Sequence, residues 1–102
     1  MVVIRIQEHA PQASTYEDGQ AIFNLLRPWL AKGEEVTLSF NGILAVPSAF
    51  INAAIVQLVE HVPVSQVRQH LRIADSTRAI NDLIRARLEF VEHATNSKSY
   101  MH

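Results

Sequence analysis

The chain has 102 residues, 48% hydrophobic and 19% charged, which is enough apolar content for one compact domain with its own core. Nine Lys and Arg against ten Asp and Glu leave a net charge of −1 at pH 7, which argues against nucleic acid or an anionic membrane as partner. With no cysteine, disulfides, thiolate nucleophiles and cysteine-held metals are excluded.

Val2-Val3-Ile4-Arg5-Ile6 is rich in β-branched residues and predicts a first strand. Arg5 also interrupts the apolar start, so no signal peptide is read there. Residues 9–13 carry Pro11 and predict a connecting loop. Ser14 followed by Glu17 is a capping-box pattern, so a helix is expected to begin there. Its apolar positions Ala21, Ile22, Leu25, Leu26, Trp29 and Leu30 recur at helical spacing. Pro28 predicts a kink or a tightened last turn, and Gly33 a stop.

Val36-Thr37-Leu38-Ser39-Phe40 alternates and predicts a second strand, with Asn41-Gly42 as the turn after it. Residues 43–46 are too apolar for a free loop and are expected to lie against the core. Pro47 and Ser48 then open a helix over about residues 49–61, with Ser48 as its cap. Its stripe of Phe50, Ile51, Ala54, Ile55, Leu58, Val59 and Val62 is broad enough for burial on more than one side. The longest apolar run, Ala53 to Val59, is broken by Gln57 and far short of the ~20 residues a membrane span needs. A cytoplasmic protein is expected.

Pro63 closes that helix, and residues 65–70 predict a short turn or helix. Leu71-Arg72-Ile73-Ala74 predicts a third strand. Asp75 or Ser76 is then expected to cap a last helix with the stripe Ile80, Leu83, Ile84, Leu88 and Val91. Residues 1–94 are expected to form the domain, and 95–102, without pattern, a mobile tail. Strand and helix thus alternate three times, which predicts an α/β layer fold. A fourth strand is expected near residues 43–46 or before the first helix, giving a central mixed sheet of about four strands with helices packed on it.

No catalytic constellation emerges. His9, His61, His70, His93 and His102 lack the spacing by which one helix face holds a metal. Neither Ser39 nor Ser48 sits in a nucleophile frame. Glu17-Asp18 and Glu34-Glu35 are adjacent pairs, as at solvated element ends, and Gly19, Gly33 and Gly42 are isolated. No enzyme activity, cofactor or metal is therefore expected. What stands out is the segment from Ser39 to Ile55, where a strand passes through an apolar loop into a helix that starts with a hydroxyl. A helix start favours negative charge, so phosphate on Ser48 would be tolerated there while adding nearly two charges to the surface. The plainer reading makes Ser48 a cap and Phe50 a core residue.

That segment resembles the STAS-like domain family of unknown function, relatives of the sulfate-transporter and anti-sigma-factor-antagonist domains. The resemblance is strongest over Val36-Thr37-Leu38-Ser39-Phe40-Asn41-Gly42 and Pro47-Ser48-Ala49-Phe50-Ile51-Asn52-Ala53-Ala54-Ile55, and extends from Asp18-Gly19 to about Val91. It implies a small α/β regulatory module without catalysis, bound and phosphorylated at this helix start by a histidine-kinase-like ATPase. Two positions depart from the family: Ser39 stands for a strand-end Asp, and Ala49 for the usual phospho-acceptor. Ser48 is the hydroxyl that remains, and hence the candidate phospho-acceptor.

The expected function is a non-enzymatic protein-interaction module docking through Asn41, Gly42, Pro47, Ser48 and Asn52. The alternative is a small-molecule or nucleotide binder using the helix N-terminus near Ser48, with Arg68, Arg72 and Arg78 supplying charge. Homodimerisation through the broad apolar helix faces is a third, purely structural possibility.

Overall fold

The computed structural model describes residues 2–100, with side chains described through His93. The chain runs β1 (Val2–Arg5), α1 (Ile6–His9), α2 (Tyr16–Ala31), β2 (Val36–Ser39), α3 (Ser48–Ala54), a 3₁₀ segment (Val56–Glu60), α4 (Val64–His70), β3 (Leu71–Ala74) and α5 (Arg78–Tyr100). The strands lie in the order β1-β2-β3, and both pairings are parallel.

The expected mixed sheet of about four strands is thus corrected to three parallel strands among the described residues. Each connection between strands contains a helix, which returns the chain to the same end of the sheet before the next strand begins. Of the two places considered for a fourth strand, residues 43–46 stay a loop, and the segment before α2 opens with the short helix α1.

Register makes one face of the sheet apolar. Ile4, Leu38 and Ile73 lie side by side, as do Val2, Val36 and Leu71. The alternate positions Val3, Thr37 and Arg72 make the other face, where Val3 is 52% exposed. Crossovers of one hand between strands in sequential order fall on the same side of a sheet. α2 and α3 accordingly pack on each other, and Ile22, Leu26, Phe40, Phe50 and Ile51 are fully buried in the shared core. Full burial of each such side chain contributes about 1.5–3 kcal/mol.

Local chemistry sets the element ends. The capping box forms one residue later than Ser14 and Glu17 suggest. The Thr15 hydroxyl accepts from the Asp18 amide (3.0 Å), and the Asp18 carboxylate accepts from the amides of Thr15 (3.3 Å) and Ser14 (3.0 Å). Pro28 stays inside α2. The carbonyl it leaves unbonded belongs to Asn24, and both residues are exposed, so water can serve it. Gly33, at φ +75°, ends the helix in a Schellman motif, with Glu34 N–H donating to Trp29 O (2.9 Å) and Gly33 N–H to Leu30 O (3.1 Å).

The helix expected over 49–61 is shorter. Ser48 does not cap it: Pro47 holds the cap position, its carbonyl accepting from Phe50 and Ile51 (3.1 and 3.4 Å), and Ser48 is the first helical residue. At the β-branched pair Ile55-Val56 the helix gives way to the 3₁₀ segment. α5 is capped by Thr77, whose hydroxyl accepts from the Ile80 amide (3.2 Å), rather than by Asp75 or Ser76. Asp75, at φ +55°, instead accepts from the Ser39 hydroxyl (2.8 Å). α5 continues through Tyr100 across the stretch expected as a mobile tail, of which residues 101–102 lie outside the described residues. Among the described residues no helix is long and apolar enough to cross a membrane.

Candidate functional site

Parallel strands bring their carboxyl ends to one rim, where loops of α/β proteins commonly meet ligands. Here the three loops of that rim are tied together. The buried Ser39 hydroxyl donates to an Asp75 carboxylate oxygen (2.8 Å) and accepts from the Asn41 amide (3.2 Å). The Phe40 amide donates to the Ala74 carbonyl (2.9 Å), which extends the pairing of β2 and β3 by one bond. The ends of β2 and β3 are clipped.

The loop after β2 is held from both neighbours. The Gln7 side-chain amide donates to the Gly42 carbonyl, and the Thr77 hydroxyl to the Leu44 carbonyl, both at 3.3 Å. Gly42 takes φ +83°, a backbone conformation suited to glycine, and a Cβ there would sit 2.5 Å from the Gln7 side chain. With its course fixed, the loop turns Ile43 inward and leaves Leu44 80% exposed. The expectation that residues 43–46 lie against the core is therefore met at Ile43 and by half-buried Val46, and overturned at Leu44 and Ala45.

Asn41, Gly42, Pro47 and Ser48 all fall on this exposed strip, joined by Leu44, Ala45 and Ala49. Asn52 lies one turn after Ser48 on the same side of α3, half-buried. Its side-chain oxygen accepts from Arg87 Nε (3.0 Å), which links α3 to α5. Of the arginines considered beside Ser48, Arg68 is engaged by Glu92 (2.8 Å) and Arg72 by Glu35 (3.2 Å). Leu44, Thr77 and Gln7 were not singled out in the sequence as site residues, and Asp75 only as a candidate helix cap. The polar run Asp75-Ser76-Thr77 after a strand could have pointed to the rim, but nothing marks Leu44 apart from its apolar neighbours.

The region containing this rim can be placed among known proteins. The model of the family described as STAS-like domain of unknown function (DUF4325) matches residues 18–81. The chain belongs to this family. The match runs from the first turn of α2 to the first turn of α5, so it includes the rim loop and Ser48. In this STAS-like domain β1 and most of α5 lie outside the matched span. No curated protein and no solved structure matches the chain.

Proposed function

We propose that this STAS-like domain is a non-enzymatic, cytoplasmic regulatory module that docks a protein partner through the loop after β2 and the first turn of α3. The observation that carries the reading is Leu44: a large apolar side chain, 80% exposed, on a loop tied down from both sides. A loop already fixed loses little conformational freedom on binding. Exposed Pro47, Ser48 and Ala49 continue the surface. By its resemblance to antagonist-type STAS domains, the partner is a histidine-kinase-like ATPase and Ser48 the phosphate acceptor. Phosphate on Ser48 would add about −1.5 to −2 charges beside Leu44 and change which partner fits.

Co-purification from the native host, with intact-mass analysis of the recovered chain, tests the reading. The expected result is recovery of a kinase-like ATPase and a chain population heavier by one phosphate. Leu44→Asp should weaken capture about tenfold or more without unfolding the domain. If Leu44→Asp leaves capture unchanged, the surface is wrong; if Ser48→Asp and Ser48→Ala both leave every partner affinity unchanged, the switch is wrong.

A further inference from the structure

We propose that phosphate on Ser48 is received within the same chain by the guanidinium of Arg87 and the side-chain amide of Asn52, which together staple the start of α3 to α5. The inference rests on the reading of Ser48 as phosphate acceptor and adds what holds the phosphate once it is there. In that step the Ser48 hydroxyl oxygen attacks the γ-phosphorus of ATP held by the ATPase. The bond from that phosphorus to the bridging oxygen breaks, ADP leaves, and the hydroxyl proton passes to solvent.

Ser48 and Asn52 are four residues apart on α3, so their Cβ atoms stand about 5–6 Å apart on one face. Helical side chains tilt toward the N-terminus, so that of Asn52 leans toward Ser48. Its oxygen accepts from Arg87 Nε at 3.0 Å. A phosphoryl group on Ser48 Oγ therefore stands one turn from a guanidinium.

Arg87 is free to take it. Arg68 and Arg72 are paired with carboxylates at 2.8 and 3.2 Å, but Arg87 faces none among the described residues. Its Nε is engaged by the neutral Asn52, and its guanidinium carbon sits 5.6 Å from the centre of the exposed Phe90 ring. The two terminal nitrogens of Arg87 and the amide nitrogen of Asn52 have no acceptor among the described residues. These are the donors a phosphate dianion takes, with two parallel N–H groups from the guanidinium.

Other charge is sparse around Ser48. Residues 40–47 and α3 hold no charged side chain. On α5, Leu83, Phe90 and Val91 share the face of Arg87 at helical spacing, whereas Arg78, Asp82, Arg85 and Glu89 do not. Asp75 of the rim already accepts the Ser39 hydroxyl. The elements packed on α3 add Glu17, Asp18 and Arg27 of α2 and Glu60 of the 3₁₀ segment, and Asp18 is taken up by the amides of Ser14 and Thr15. A phosphate held by Arg87 is partly neutralised and drawn toward α5 instead of standing free beside Leu44. Phosphorylation then tightens the seam between α3 and α5 as well as recharging the surface.

The test installs phosphoserine at position 48 of the full chain during translation and follows its titration by phosphorus NMR. A cation beside the phosphate favours the dianion, so with Arg87 present the midpoint should lie about half a pH unit or more below that of the Arg87→Gln chain. Every other charge, and the amides at the start of α3, are common to the two chains. Gln can still donate to Asn52, so the variant keeps a bond between α3 and α5. Hydrogen exchange gives a second readout: phosphate should slow the amides of residues 84–88 about threefold, and leave them unslowed in Arg87→Gln. Equal midpoints overturn the proposal, as does unchanged exchange in α5 or a midpoint that rises as far in Arg78→Gln as in Arg87→Gln. Because the phosphoserine is installed, the measurement needs no kinase. A chain recovered from its host without phosphate counts against the kinase reading, and equal midpoints against Arg87 alone.

Discussion

Gly19 is fully inside the protein where α2 crosses α3, and a Cβ built there would lie 2.5 Å from the Phe50 carbonyl oxygen and 2.7 Å from Ala53 Cβ. Both obstacles are hard, since one is backbone and the other a Cβ. Alanine usually stabilises a helix relative to glycine by about 1 kcal/mol. Here overpacking of about 1–3 kcal/mol should outweigh that gain. Gly19→Ala is therefore expected to lower stability in urea denaturation; a rise in the midpoint would mean that the helices can part freely. Ser39 shows the complementary case of a buried polar residue. Its hydroxyl both donates to Asp75 and accepts from Asn41, so its burial is compensated and the ends of β2 and β3 are clipped together.

At the scale of elements, caps and stops follow side-chain chemistry closely. Loss of an N-cap typically costs about 1 kcal/mol. Thr15→Ala removes the acceptor for the Asp18 amide, so it should destabilise by about that amount, whereas Ser14→Ala, whose amide and not its hydroxyl bonds Asp18, should be near neutral by thermal melting. β3 and the apolar stripes of α2 and α5 were legible because a period of two or of 3.6 leaves a direct mark on the residue order. The end of α3 was not, because the stripe runs on unbroken through Ile55, Leu58 and Val59 while the backbone tightens. Nor was the outward turn of Leu44. That turn depends on hydroxyl and amide groups from Thr77 and Gln7, each more than thirty residues away.

For the molecule as a whole, one-sided packing sets an order of stability. β2 is flanked by a strand on each edge and covered by helices, while β1 and β3 each pair on one side. Native-state hydrogen exchange should find the slowest amides in Val36–Ser39, with both outer strands opening earlier. Uniform protection across all three strands would contradict this. The number of strands was the part of the fold least accessible from sequence. An apolar loop and a short strand have the same composition, and only the tethers at Gly42 and Leu44 separate them.

The bond from Arg87 to Asn52 has a bearing on how α5 is held. Asn52 stands on a helix anchored in the core, and Arg87 on α5. Parting these two side chains costs about 1.5–3 kcal/mol for a charged donor. Arg87 thus works as a latch: α5 swings away from α3 only when that bond opens.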